Sequence, residues 1–360
     1  MPYHDWNGEG EFVKTNCYLF EYDTKGDVIQ RPLSKDDPKG PIADESVGPH
    51  VSQVLADDAI KFIDEYNEDQ PFYMYLAIPC PHDPRQSPEE YRNMYPADKV
   101  QLPPSHMLQH PFDNGHMVLR DEELAPWPRT EEVAKQHLGD YYGIITHLDY
   151  QLGRVIDKLK ESGMYENTII IMAGDSGLAV GNHGLMGKQN IYDEDGIHIP
   201  LIFSGGALDD SHRGSRKSAF CYNYDVMPTI CEMVGAEIPQ SVTGKSLVPV
   251  IEGKRDAVRD NTYHAYLQFQ RAYRKGEYKL IEYVRAGGYE NTQGDYVAGS
   301  RVTQLFNIEK DPWETLNLSI FSEYKEIVDQ MRVEMRQKAM EIGDYADGKR
   351  TKFDFWSYYE

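Results

Sequence analysis

Apolar residues recur with a clear period from residue 51 onward. Val51, Leu55, Ala59, Phe62, Ile63 and Tyr66 fall at helical spacing, and after the polar Asn67-Glu-Asp-Gln-Pro the run Phe72 to Ile78 is apolar, so a helix feeding a buried strand is expected. The strongest helical signal comes next. Leu138, Tyr141, Tyr142, Ile145, Leu148, Leu152, Val155, Ile156 and Leu159 share one face, with Thr130 placed to cap the helix and Gly163 to end it. Thr168 to Ala173 is apolar on both faces, the pattern of a parallel strand covered by helices, and Ile199 to Ser204 reads as another. Such alternation predicts an α/β layered core. After about residue 258 the pattern turns to short strands, Thr262 to Tyr266, Ala272 to Tyr273, Tyr278 to Tyr283 and Thr303 to Asn307, then an amphipathic helix over Glu323 to Ile342. That predicts a smaller antiparallel subdomain over 259–360, behind a core over 51–258. Residues 1–50 form an irregular beginning in which Asn16 to Tyr22 is the one strand-like piece.

Length and charge narrow the classes. The 360 residues allow one large domain or two modest ones. A formal charge of −22 without a basic stripe argues against nucleic acid or an anionic membrane as partner. An anionic substrate would therefore need a local cation. The longest apolar runs are far short of the ~18–20 residues that span a bilayer, and Met1-Pro-Tyr-His-Asp has no signal-peptide character. The chain as written is expected to stay cytoplasmic, or to be periplasmic or secreted where an upstream signal precedes it. Cys17, Cys80, Cys221 and Cys231 have no C-x-x-C spacing and are expected to be buried free thiols.

Ligands of α/β sheets sit beyond the carboxyl ends of strands. The first apolar run ends in Pro79-Cys80-Pro81-His82-Asp83-Pro84-Arg85, where prolines stiffen a turn carrying an imidazole and a guanidinium. A lone His after a strand is more often structural than functional, and the proline clamp shifts that balance. Thr168 to Ala173 ends in Gly174-Asp175-Ser176-Gly177, where a carboxylate can meet a hard cation, although an Asp in a turn most often bonds its own backbone. The glycine-punctuated Gly181-Asn-His-Gly-Leu-Met-Gly-Lys-Gln-Asn190 then delivers His183 and Lys188, the latter as readily a solvated surface lysine as an anion ligand. A metal-capable Asp, a Lys and a His at neighbouring strand ends suggest hydrolysis or transfer of a tetrahedral anion. The proline-rich stretch 84–129 is a loop of the kind that covers a site. Arg271 and His264, on expected C-terminal strands, read as a surface pair rather than pocket residues.

Several motifs together carry a resemblance. Pro71-Phe-Tyr-Met-Tyr-Leu-Ala-Ile with Pro81-His-Asp-Pro-Arg-Gln, Gly174-Asp-Ser-Gly-Leu-Ala-Val-Gly-Asn-His-Gly-Leu-Met-Gly-Lys-Gln-Asn190, His198-Ile-Pro-Leu-Ile, Asp225-Val-Met-Pro-Thr-Ile-Cys and Leu305-Phe-Asn-Ile-Glu-Lys-Asp-Pro-Trp-Glu-Thr-Leu-Asn-Leu resemble, in order, the bacterial arylsulfatase-type members of the sulfatase family of the alkaline phosphatase superfamily. The resemblance implies an alkaline-phosphatase-like mixed sheet flanked by helices, with a C-terminal antiparallel sheet and helix. It implies calcium-assisted hydrolysis of aryl or carbohydrate sulfate esters. Asp175 resembles a calcium ligand, Lys188 the lysine on a sulfate oxygen and His82 the histidine near the leaving-group oxygen, with His183 in the same loop on the substrate side. Three family features are missing from this sequence: the nucleophile motif Cys or Ser-x-Pro-x-Arg, the aspartate pair of the first strand, and Gly-Lys-x-His. Ser176 stands where the family usually has Asn or His, so Ca2+ is expected to bind weakly or not at all. A sulfated small molecule or glycan is the expected ligand. The exposed sheet edge is expected to be covered by residues 1–50 repacked over it, or by an oligomer or a complementing chain. The other classes in view are a catalytically inactive sulfatase-like binding protein and a phosphodiesterase of the same superfamily.

Overall fold

The computed structural model describes residues 50–82, 85, 87–117, 119, 121–285, 300–344 and 355–359, and as backbone pairing alone 4–6, 12–14, 18–22, 28–32, 289–290 and 296–297. Cys17, the Asp36-Asp37 pair and most of the glycine-rich stretch 285–300 lie outside them. The chain divides into two compact units, Met1–Leu102 with Glu131–Ile169 and Gly205–Ala207, and Pro103–Thr130 with Ile170–Ser204 and Leu208–Glu360.

In the first unit, hairpins join β1 (His4–Trp6) to β2 (Phe12–Lys14) and β3 (Tyr18–Tyr22) to β4 (Val28–Pro32). The strand expected at Asn16 to Tyr22 is thus present as β3. Helix α1 (Val51–Glu65) starts at His50, whose Nδ1 accepts the Ser52 N–H at 3.2 Å, a capping signal the apolar period does not carry. Its buried face, with Val54, Ala56, Ala59 and Ile63, lies along the long helix at Glu131–Glu161. The short α2 (Glu89–Arg92) and the long α3 (Glu131–Glu161) follow. Arg154 pairs with Asp57 of α1 at 2.7 Å, and Lys158 pairs with Asp64. Gly163, at φ 74°, ends α3 as its sequence position indicates.

Phe72 to Ile78 forms no ladder among the described residues; its burial alternates residue by residue, and Tyr73 and Tyr75 point to solvent at 74% and 80% exposure. The expected buried strand is therefore not formed. A strand requires a partner far away in sequence, and the local pattern supplies only the apolar side chains.

In the second unit, β5 (Ile170–Ala173) pairs with β6 (Leu201–Ser204) in antiparallel register, Ala173 opposite Leu201. This corrects the parallel pattern expected there. Met172 and Ile202 remain exposed, so the doubly apolar sequence is not doubly covered. Helices α4 (Val226–Met233) and α5 (Val248–Ile251) lead to an antiparallel sheet of β7 (Asn261–Tyr266), β8 (Gln270–Lys275), β9 (Tyr278–Arg285) and a strand at Ser300–Asn307, in the order Ser300–Asn307, β9, β8, β7. Between β9 and that last strand lie β10 (Tyr289–Glu290) and β11 (Tyr296–Val297), which makes Ser300–Asn307 β12. Helices α6 (Lys325–Ile342) and α7 (Phe355–Tyr359) complete the unit.

Both faces of this sheet are covered, and the period of two assigns them. Tyr273, Leu280, Val284 and Leu305 pack with Val328, Met331 and Met335 of α6. Ala272, Ile281, Tyr283 and Phe306 pack with Ala179, Leu185, Ile191 and Tyr192, from the segment after β5. The antiparallel subdomain read from the sequence is present, and its second face is what the glycine-rich segment rests on.

Candidate functional site

The segment after β5 is built by its own backbone. The Gly174 N–H donates to Pro200 O at 3.1 Å and the Gly177 N–H to Gly196 O at 2.9 Å, tying the strand end to the return towards β6. Ala179 N–H to Gly187 O at 3.0 Å and Gly181 N–H to Leu185 O at 2.7 Å then close a tight loop. Gly184, at φ 72°, must be glycine: a Cβ would stand 2.4 Å from the backbone of Gln109 and His110.

Residues of the proline-rich stretch form the other wall. Ser105 Oγ donates to Asn182 Oδ1 at 2.5 Å, Ser105 O accepts the His183 N–H at 2.8 Å, and His110 Nδ1 donates to His183 O at 2.8 Å. Burial lowers the His110 pKa to about 4, so the imidazole is neutral and Nδ1–H is the donor. Further along, the Glu122 carboxylate accepts the N–H of Met186 and of Gly187, each at 3.0 Å. The expectation that 84–129 covers something is met in this part by 105–122, which hold the loop carrying Lys188.

Beneath the loop sits a buried charge cluster that local sequence reading missed. Lys279 of β9, fully buried, contacts Asp193 Oδ1 at 2.6 Å and Glu314 Oε1 at 2.8 Å, and Arg274 of β8 pairs with Asp193. Burial pushes the Glu314 pKa up to about 7 against the pull of Lys279, while burial of Asp193 is overcome by Lys279 and Arg274 and its pKa is lowered. The partners are 35 to 121 positions apart in sequence, so only an apolar strand carrying an unexpected Lys279 signals them.

His183 is 5% exposed, with φ 49°, and both ring nitrogens are engaged: Nδ1 with Asp195 Oδ2 at 2.7 Å and Nε2 with Glu314 O at 3.2 Å. Its ring stacks on Tyr192 with centroids 3.7 Å apart. Burial opposes its charge, but Asp195 and Glu314 raise its pKa. Both nitrogens therefore bind protein groups in this arrangement. Asp175 is exposed at the strand end, where the Ser176 hydroxyl donates to Oδ1 at 3.4 Å and Asn223 Nδ2 donates to Gly174 O at 2.8 Å. Lys188 is half-buried, its N–H donating to Gln189 Oε1 at 3.0 Å. Asp175, Ser176, His183 and Lys188 thus share one loop of the second unit. His82 belongs to the first unit, half-buried, with its N–H on Pro79 O at 3.0 Å. Arg271 is not a surface residue: it faces α6 and holds Asp344 at 2.6 and 3.0 Å, and His264 is largely enclosed, its pKa lowered to about 4 by burial. Cys80, Cys221 and Cys231 are free thiols, half-buried rather than buried.

Calcium takes roughly six to eight oxygen ligands. Asp175 with Ser176 offers one carboxylate and one neutral hydroxyl, and among the described residues no three or more His, Cys, Asp or Glu are grouped to hold a metal ion. These residues do not by themselves fit the ion. No helix among the described residues is long and apolar enough to cross a membrane.

The model of the Sulfatase family matches residues 4–236, and that of N-sulphoglucosamine sulphohydrolase, C-terminal, matches residues 181–341. An arylsulfatase of Clostridium perfringens is 28% identical over 306 residues, 84% of this chain and 60% of the relative. The chain thus spans less than two thirds of that relative's length. A solved structure described as a complex with its substrate D-glucosamine-2-N,6-O-disulfate shares the fold with a TM-score of 0.66 at 19% identity, over 92% of this chain and 76% of that one. The phosphonate monoester hydrolase of Agrobacterium radiobacter does so at 0.66 and 20% identity, over 85% of this chain and 62% of its own. The last two likenesses are of fold.

Proposed function

Because this chain belongs to the sulfatase family, we propose that it serves the hydrolysis of sulfate esters, with the anion held at the loop that follows β5. The observation carrying this reading is that loop, Gly174 to Asn190, which leaves Lys188 between residues anchored on either side. Lys188 neutralises charge on a sulfate oxygen as the S–O bond to the alcohol breaks. His82, by its motif, hands a proton to the departing oxygen. His183 acts through the loop: bonded to Asp195 and Glu314, it fixes the turn instead of touching substrate. The ester is an aryl sulfate or the sulfate of a sugar, which the arylsulfatase relative and the disulfated-glucosamine complex support. The sequence holds no Cys or Ser-x-Pro-x-Arg, so turnover needs a nucleophile supplied alongside these residues, by a complementing chain or a further segment. Asp175 and Ser176 resemble the calcium-facing pair by motif only, and on these two donors alone no calcium is held at this position.

The discriminating experiment compares the 41.4 kDa chain with the native protein from its source, measuring intact mass and release of sulfate from 4-nitrophenyl sulfate. The expected result is hydrolysis by a native species heavier than 41.4 kDa and none by the chain alone. A second reading, binding of sulfated ligands without turnover, is favoured by the missing nucleophile motif and by Ser176. Native material that binds the ester and never releases sulfate replaces the first reading with the second.

A further inference from the structure

We infer that Glu122 is the positioning residue for Lys188: from the proline-rich segment it fixes the backbone on which the ammonium is offered to a sulfate oxygen. The inference rests on the sulfate-ester reading above. Oε1 of Glu122 accepts the Gly187 N–H at 3.0 Å and Oε2 the Met186 N–H at 3.0 Å, the two amides directly before Lys188. Behind it, Arg129 Nη2 donates to Oε2 at 2.9 Å and to the Glu122 carbonyl at 2.6 Å. Arg129 is fully buried, and its guanidinium lies 3.8 Å from the centre of the Trp127 ring. On the other side of Lys188, Gln189 Oε1 accepts the Lys188 N–H at 3.0 Å while its Nε2 donates to Asp121 Oδ2 at 2.7 Å. Residues 121 and 122 therefore grip the chain both before and after Lys188.

The chemistry of the grip requires an ionised carboxylate. Glu122 is 4% exposed and meets three donors, two backbone amides and a guanidinium. A carboxylate accepts from all three, whereas an amide in its place turns one acceptor into a donor that faces either the peptide N–H groups or Arg129. A buried guanidinium would also lose its counter-charge. Gly187 completes the fit, because a Cβ there would stand 2.8 Å from Asp121 Cβ and 3.3 Å from Glu122 Oε1.

The test uses the full chain and 4-nitrophenyl sulfate in a calorimetric titration, with amide hydrogen exchange read at residues 186–188. Glu122→Gln is expected to speed exchange at Met186 and Gly187 and to raise the ester Kd about tenfold, the equivalent of about 1.4 kcal/mol. Lys188→Ala should raise Kd at least as much without changing exchange at 186 and 187. The decisive arm is the double variant. If Glu122 acts through Lys188, adding Glu122→Gln to Lys188→Ala leaves Kd where Lys188→Ala alone put it, whereas a merely structural loss adds to it. Glu122→Asp, which keeps a charge facing Arg129 but draws the carboxylate back from the amides of Met186 and Gly187, carries the same cycle should Glu122→Gln not fold. Additive effects, or an unchanged Kd in Glu122→Gln while Lys188→Ala loses affinity, overturn the positioning role alone. A wild-type chain that does not bind the ester, or a Lys188→Ala variant that binds as wild type does, instead overturns the sulfate reading, and the inference goes with it.

Discussion

Lys279 shares its one charge between two buried carboxylates, and the two settle differently. Asp193 has Arg274 as well and keeps a lowered pKa, while burial lifts Glu314 to about 7. A carboxyl whose folded pKa lies above its unfolded value contributes stability that is complete below about pH 4.5 and is lost as pH rises through about 7. The comparison with Glu314→Gln reports that contribution together with its coupling to His183, whose pKa Glu314 helps to raise and whose own loss of stability with rising pH has the same sign, while His264, lowered to about 4, titrates in both proteins. The urea midpoint of wild type minus that of Glu314→Gln is expected to fall between pH 5 and about 7.5 and then level off. A difference that grows with pH over that window contradicts the assignment. None of this was legible locally. The sequence shows the glycines, His183 and Lys188 of the loop because they are neighbours, but Glu122 reaches it from 64 positions away and Glu314 from 131, and Lys279 meets Asp193 just beyond it from 86.

Among the elements, legibility followed how far away each one finds its partners. Helices α3 and α6 lie within a few residues of where the apolar period places them, since a long amphipathic stripe contains its own hydrogen bonds. Most of the four-stranded sheet is legible for the same reason: β7, β8 and β9 are joined by short connections, and the faces of the strands alternate. Phe72 to Ile78 and β5 are apolar but need partners from elsewhere, so neither the missing ladder of the first nor the antiparallel register of the second can be read locally. Within α3 the glycines divide in a way the helical wheel hides. At Gly139 a Cβ would stand 2.4 Å from the carbonyl oxygen of Tyr95, whereas at Gly153 nothing lies within 4 Å. Gly153→Ala should therefore raise stability by up to about 1 kcal/mol, the ordinary helix-propensity gain. Gly139→Ala on the same helix should lower it by roughly 1–3 kcal/mol, because backbone has to move. Urea unfolding of the two variants checks both signs, and a gain at Gly139 would show that the approach of residue 95 is not rigid.

At the scale of the whole molecule, a net charge of −22 complicates any question about calcium. Such a field gathers divalent cations near the surface without a site, and it does so less as salt screens it over a Debye length of about 8 Å at physiological ionic strength. A built site behaves otherwise, since ligands in direct contact with the ion are screened little. The donors offered at the start of the loop are one exposed carboxylate and a hydroxyl that leans on it at 3.4 Å. Calcium retained by this chain should accordingly be weak, diminish steeply between about 0.02 and 0.15 M monovalent salt, and be indifferent to Asp175→Asn. Titration calorimetry at the two salt concentrations, on wild type and that variant, separates the cases. Tight binding that survives in salt and disappears with Asp175→Asn would mean that Asp175 already stands in a finished coordination shell, and that the nucleophile and the Gly-Lys-x-His motif, rather than the metal ligands, are what these residues have still to receive.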